Sequence, residues 1–176
     1  MILQIEAWRF ILVFFIGGII ISFFSIMIYI LLNRAKNSIV TNLVGFFLFT
    51  MMAAIINIVY SLIQIQIITL ILAVITTYIV TFALIFLYIA NYTMYKSEKL
   101  FPRNKQLKIA ILYGIILVPV FIFPFFGGIE LNEATNWSPK WNLFFFLYMI
   151  IAASIAVYPN IKISAKIYKE FQTKEL

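Results

Sequence analysis

"NSIVTNLVGFFLFTMMAAIINIVYSLIQIQIITLILAVITTYIVTFALIFLYIANYTMY", residues 37–95, runs for 59 residues without a charge. A bilayer core about 30 Å thick is crossed by about 20 apolar residues of helix, so this run is too long for one span and suits two. "SLIQIQ", residues 61–66, is the polar break that a tight turn needs. It predicts spans over 39–62 and 66–90, with the second continuing as helix to about Tyr95. Working outward, the uncharged run 10–32 gives a first span, closed by Asn33, Arg34 and Lys36. On the other side "KSEKLFPRNKQLK" interrupts. A fourth span follows over 109–126, stopped by Gly127 and Gly128, and a fifth over 141–158, stopped or bent by Pro159. The fold class is therefore all-α: a polytopic membrane helical bundle with five transmembrane helices in one domain, 1–160, and a basic amphipathic cytoplasmic tail, 161–176.

Composition points the same way. Of 176 residues 65% are hydrophobic and 11% charged, with a mean hydropathy of +1.08, against about 45–50% apolar and 25% charged in soluble domains. Eleven of the 13 basic residues fall on one predicted side: Arg34, Lys36, Lys96, Lys99, Arg103, Lys105, Lys108, Lys162, Lys166, Lys169 and Lys174. Arg9 and Lys140 fall on the other. The basic excess marks cytoplasmic loops, which predicts an outer N-terminus, an inner C-terminus and a multi-pass protein of the cell membrane. Trp8, Trp137 and Trp141 fall at the outer interface, where an amphipathic indole is favoured. The first span is too long for a signal-peptide core and lacks its basic leader and small-residue cleavage site, so it is read as retained.

The hydroxyls and amides inside these apolar runs are not scattered. At 100° per residue Thr77, Thr81, Tyr88, Asn91, Tyr92 and Tyr95 share a sector about 100° wide on the third helix. Thr50, Ala53, Ala54, Asn57, Tyr60, Ser61 and Gln64 share one about 120° wide on the second. Gly18, Ser22, Ser25, Tyr29 and Asn33 do so on the first, and Asn142, Met149, Ala153, Ala156 and Asn160 on the fifth. These stripes are expected to face neighbouring helices. One reading is packing, because lipid gives helices no hydrophobic drive to associate and small residues, such as the Gly18–Ser22 pair, and interhelical hydrogen bonds supply adhesion. The other is a polar pocket for a small molecule or ion, lined by Asn57, Gln64, Thr77, Thr81, Tyr88 and Asn91.

Several chemistries are disfavoured. Cysteine, histidine and aspartate are absent, leaving Glu6, Glu98, Glu130, Glu133, Glu170 and Glu175 as the side-chain carboxylates. No charge lies in the central part of a span, which disfavours a proton-driven pump. Neither a nucleophile–base pair, a zinc motif, a haem or di-iron ligand set nor a phosphate-cradling glycine loop can be assembled, so no catalytic residue, cofactor or metal is expected. Pro119 and Pro124 each remove a backbone donor and should kink or break the fourth helix. Glu130 and Glu133 in the outer loop read as a solvated surface or a weak cation contact.

The basic side is the expected interaction surface. Anionic lipid headgroups attract each nearby Lys or Arg by about 1 kcal/mol, so Lys96, Lys99, Arg103, Lys105 and Lys108, with Lys162, Lys166 and Lys169 on the tail, are candidate inner-leaflet contacts. Membrane orientation explains this charge without nucleic acid. The first inner loop "LLNRAKNS", the helix opening "TNLVGFFLFTMMAAI" and the tyrosine-rich third helix resemble the N-terminal multi-helix membrane sensor segments of some histidine kinases, over roughly residues 10–100. That resemblance implies a ligand-sensing or partner-coupling bundle without catalysis. The chain is accordingly read as a non-catalytic small subunit, sensor-like module or assembly factor, acting through helix–helix contacts with a protein partner or a second copy. The alternative is a small carrier or channel for a neutral or lipophilic solute; an enzyme acting on lipid headgroups ranks third.

Overall fold

The computed structural model describes residues 2–34, 37–63, 65–135 and 138–172. Gln64 of the second-helix stripe and Trp137 lie outside these residues. Helices α1 (Ile2–Leu32), α2 (Ser38–Leu62) and α3 (Gln66–Lys96) are followed by α4 (Arg103–Ile116), which passes into two 3-10 segments, Val118–Phe121 and Phe123–Phe126. A two-stranded ribbon, β1 (Ile129–Glu130) and β2 (Lys140–Trp141), precedes α5 (Leu143–Gln172). Five helices, counting α4 with its 3-10 continuation as one, are long and apolar enough to cross a membrane. The protein is a multi-pass helical membrane bundle.

Local chemistry sets the helix ends. The Val40 N–H donates to Asn37 Oδ1 at 2.8 Å, which caps α2. Ile63 and Ile65 are extended and turn the chain, and buried Thr69 ties the turn down by donating from Oγ1 to the Ile63 carbonyl at 2.8 Å. α3 ends at Ser97, whose φ of 68° is a conformation glycine adopts without strain and serine does not. α4 begins at Arg103 directly after Pro102, six residues earlier than the charge pattern suggests, because Pro102 at φ −67° is already shaped for a helix start. Arg103, Lys105 and Lys108 therefore stand on a helix rather than in a loop.

α3 is the spine of the bundle, with α2 on one side and α4 and α5 on the other; α1 packs chiefly on α2. Two buried clusters form around it. Ile85, Ile89, Phe101, Tyr113, Leu117, Ala152 and Ala156 make the larger, and Val74, Val120, Ile129, Phe145 and Met149 the smaller. Small residues allow close crossings. A Cβ on Gly17 would meet Ile58 Cδ1 at 2.8 Å, and one on Gly45 would meet Phe86 at 3.0 Å. Gly18, assigned to a contact on sequence grounds, meets nothing within 4 Å, and Ser22, Ser25, Tyr29 and Asn33 are exposed. Most of the polar stripe of α1 thus lies off the contact, which is made by the adjacent face carrying Gly17, while Ser25 Oγ does reach α2 and donates to Met51 Sδ at 3.3 Å.

Where α4 breaks, side chains from other helices take over. The 3-10 segments hold Pro119 and Pro124 in their first turns. Tightening sends the Val120 N–H to the Leu117 carbonyl at 3.0 Å, so the Ile116 carbonyl loses its helical donor. Tyr148 Oη on α5 donates to it instead. Tyr78 Oη on α3 donates to the Gly114 carbonyl at 3.4 Å, and Tyr113 Oη on α4 to the Ala152 carbonyl at 3.0 Å. Gly127, at φ 71°, then reverses the chain, and Gly128 lies so close to the Phe123 carbonyl that a Cβ would sit 2.7 Å from its oxygen.

On sequence grounds the fifth span stops or bends at Pro159 and a separate tail follows. Instead α5 contains Pro159 and remains helical to Gln172. Bonds beyond the proline hold it: Asn91 Nδ2 on α3 donates to Asn160 Oδ1 at 2.7 Å and to Ser164 Oγ at 3.3 Å, and Ile163 is buried. Asn142, grouped by periodicity with the α5 stripe, is the cap of that helix, accepting from the Phe145 N–H at 2.8 Å.

Tyr148→Phe strands the Ile116 carbonyl and should lower stability by about 1–2 kcal/mol, read as an earlier unfolding transition in detergent. Tyr158→Phe, at a side chain 69% exposed, should leave the transition in place. Equal shifts for both variants would remove the role given to Tyr148.

Candidate functional site

The threonines of the proposed pocket bond to their own helices. Thr77 Oγ1 donates to the Ala73 carbonyl at 2.9 Å, and Thr81 Oγ1 to the Thr77 carbonyl at 2.8 Å. Thr50, Thr76 and Thr93 make the same bond one turn back. A threonine hydroxyl inside a helix always has this carbonyl within reach, so it enters an apolar interior without a partner helix or a ligand. Of the named residues, Asn91 makes the α3–α5 link already described. Tyr88 borders a crevice at the basic end, and Asn57 lines a largely apolar groove of about 390 Å³ with Gly17, Ala53 and Thr76. These positions do not converge on one polar site. Pro119 and Pro124 lie at the α4 break.

A polar site does form elsewhere. At the basic end, α2, α3 and α4 border an open cavity of about 510 Å³, lined by Ser38, Thr41, Asn42, Glu98, Arg103 and Gln106 and walled on its apolar side by Phe86, Ile89 and Leu107. Gln106, 5% exposed, is its hub. Its Oε1 accepts from Ser38 Oγ at 2.7 Å and from Asn42 Nδ2 at 2.9 Å, and its Nε2 donates to the Phe101 carbonyl at 2.9 Å. Asn42 Nδ2 also reaches the Ser38 carbonyl at 2.7 Å. The first turns of α2 and α4 are therefore tied by buried amides, while the charged ends of Glu98 and Arg103 stand exposed at the rim. Spacing on α4 explains the face: Arg103, Gln106, Leu107 and Ala110 follow the i, i+3, i+4, i+7 pattern of one helical side.

Such a cavity offers hydroxyl and amide donors and acceptors, one carboxylate and one guanidinium beside an apolar wall. That suits binding of a small polar or amphiphilic molecule. Among the described residues no group of three His, Cys, Asp or Glu is placed to hold a metal ion. Sequence reasoning passed over Asn42 and Gln106. The signal was faint: one asparagine a turn inside an apolar helix, and one of the two neutral amides, Asn104 and Gln106, among the cations of "FPRNKQLK".

The basic residues divide by position. Lys96 and Lys99 flank the α3–α4 turn, Arg103, Lys105 and Lys108 stand on the opening of α4, and Lys162, Lys166 and Lys169 stand on the end of α5, all exposed. Lys96 Nζ and Lys166 Nζ lie 5.0 Å and 5.7 Å from the centre of the Tyr95 ring, a cation–π contact that joins α3 to α5 beyond Pro159. Glu130 is exposed and faces Lys140 in the ribbon register, while Glu133 opens a 3-10 turn.

Comparison with protein-family models, with curated proteins and with solved structures returns no match to this chain.

Gln106→Leu removes the hub and leaves Ser38, Asn42 and the Phe101 carbonyl without it, at a cost of about 1–3 kcal/mol. Thr81→Val keeps shape and deletes a hydroxyl that serves only its own helix, so its effect should stay within about 0.5 kcal/mol. Chemical denaturation of both variants in the same detergent checks the ordering, and a larger loss from Thr81→Val would overturn it.

Proposed function

We propose that this chain is a non-catalytic, sensor-like membrane module that binds a small polar or amphiphilic molecule in the cavity between α2, α3 and α4 and acts on partners through its helix surfaces. The observation that carries the reading is the buried Gln106–Asn42–Ser38 cluster beside that cavity. It couples the opening of α4 to α2, and α2 is the main support of α1. A molecule that competes for the hydrogen bonds of Gln106 changes the contact between α2 and α4, and with it the placement of the α1–α2 pair. The outer face of α1 is available for contact with a partner, since Ile11, Phe15, Ile19, Phe23 and Ile26 are all exposed. A carrier for a neutral solute draws less support, because Thr77 and Thr81 donate within their own helix and offer no polar lining along α3.

Gentle extraction from the native membrane followed by native mass spectrometry tests the reading. The expected result is a non-lipid mass retained by the wild-type chain and lost from Arg103→Gln or Glu98→Gln, exposed rim positions whose replacement spares the fold. Ile151→Ala, on an exposed apolar face of α5, should retain it. A wild-type chain that emerges without such a mass, or one retained equally by both rim variants, would sink the proposal.

A further inference from the structure

A second recess lies on the other side of the α3–α4 pair. It is a crevice of about 240 Å³ with Tyr88, Tyr92 and Lys96 from α3 on one wall and Phe101, Lys105 and Ile109 on the other, and Leu100 completes it. The spacing is again helical: 88, 92 and 96 repeat every four residues on α3, and 105 and 109 do so on α4. The crevice thus uses a different face of α4 from the one that carries Gln106. Its two charged groups are both ammonium, with no carboxylate in the lining. Aromatic packing shapes the interior: the Tyr88 and Tyr92 rings lie 5.8 Å apart, and Tyr92 meets Phe101 edge-on at 4.8 Å. The lysines sit at the basic end, and the apolar wall continues along the spans. One turn deeper on the same face of α4, Leu112 is 60% exposed, and one turn deeper on α3, Leu84 is half-buried.

We propose that this crevice holds the phosphate of an anionic membrane phospholipid between Lys96 and Lys105, with the lipid's acyl region lying along Ile109 and Leu112. The charge pattern selects an anion, because both charged groups of the lining are ammonium and a phosphate can take a charge-assisted bond from each. The apolar wall selects a lipid over a free phosphate: a free anion gains nothing from Leu100, Phe101 and Ile109, whereas an acyl chain covers them. Tyr92, one turn from Lys96 on the same face of α3, brings a ring and a hydroxyl beside the ammonium, the mixed character that suits a lipid's headgroup boundary. The lysine side, taken as cytoplasmic from the charge bias, is also the leaflet that carries anionic lipid. The two recesses share no lining residue, and this proposal does not rest on the cavity beneath Arg103 being occupied, so either reading can fail without the other.

The full chain in nanodiscs of mixed phosphatidylcholine and phosphatidylglycerol, analysed by native mass spectrometry, tests the site. The expected result is selective retention of phosphatidylglycerol that falls about thirtyfold in Lys96→Gln/Lys105→Gln, since each of these lysines loses a charge-assisted bond to the held phosphate. The same charge change in Lys99→Gln/Lys108→Gln, at positions outside the crevice lining, weakens general attraction to the leaflet but removes no bond to the held phosphate, so selective retention should fall by a clearly smaller factor. Equal losses in the two double variants would mean diffuse attraction and overturn the proposal. A competition on the wild-type chain needs no variant: short-chain phosphatidylglycerol should displace the retained lipid, and glycerol phosphate at the same concentration should not. Equal displacement by glycerol phosphate would overturn the assignment to a lipid.

Discussion

A peptide carbonyl without a donor in hydrocarbon costs about several kcal/mol, so an interrupted helix can cross a bilayer only if something else donates to what the break exposes. α4 is interrupted by two prolines within its last third, and the architecture around it answers that requirement. Tyr148 donates to the Ile116 carbonyl from α5, and Tyr78 on α3 adds a second donor to the Gly114 carbonyl, which the Leu117 N–H also reaches at 3.2 Å. These bonds need their helices at particular depths and rotations. The break therefore acts as a register mark: α3, α4 and α5 are keyed to one another by a defect in one of them.

The other half of the molecule is held differently. α1 meets α2, and α2 meets α3, through close crossings at Gly17 and Gly45 and through ring contacts such as Phe49 stacked on Phe86 at 5.2 Å. Such contacts fix distance more than axial position, because apolar surfaces slide at lower cost than hydrogen bonds break. The Ser38–Asn42–Gln106 cluster is a buried polar tie between α2 and the keyed half. In the proposed reading the recess beside that tie lies where α2 meets α4, so its occupant bears directly on that contact.

The spans were legible because charge is costly in a bilayer and its absence over 59 residues admits few arrangements. Which face meets which neighbour was not. Gly17 and Gly18 differ by 100° of rotation, and nothing in either residue says that Ile58 awaits the first. Periodicity placed Thr77 and Thr81 on one side of α3 correctly as a matter of angle. It could not say where the hydroxyls donate, since the carbonyl one turn back competes with any partner helix. Gln106 was obscured for a related reason: among five cations it reads as part of a solvated stretch, and only the early start of α4 at Arg103 turns it inward. Pro159 read as a stop or a bend because proline costs a helix about 3 kcal/mol; the helix continues through it, with the Asn91 bonds to Asn160 and Ser164 offsetting part of that cost.

That early start of α4 also separates two chemistries. Had residues 103–108 been an irregular loop, their charges would have mixed at the surface. As a helix, they are sorted by angle: Arg103 and Gln106 turn toward α2 and a cavity with both signs of charge, while Lys105 turns toward Lys96 and a crevice with one. Phe101 stands between them, its carbonyl accepting from Gln106 and its ring packed on Tyr92. A shift of α4 that opens one recess must move the wall of the other, since both are cut into the same helix. In the proposed reading the lipid on the crevice side thus bears on the same helix that carries Gln106, and the membrane's own composition becomes one of the terms that set the cavity's shape.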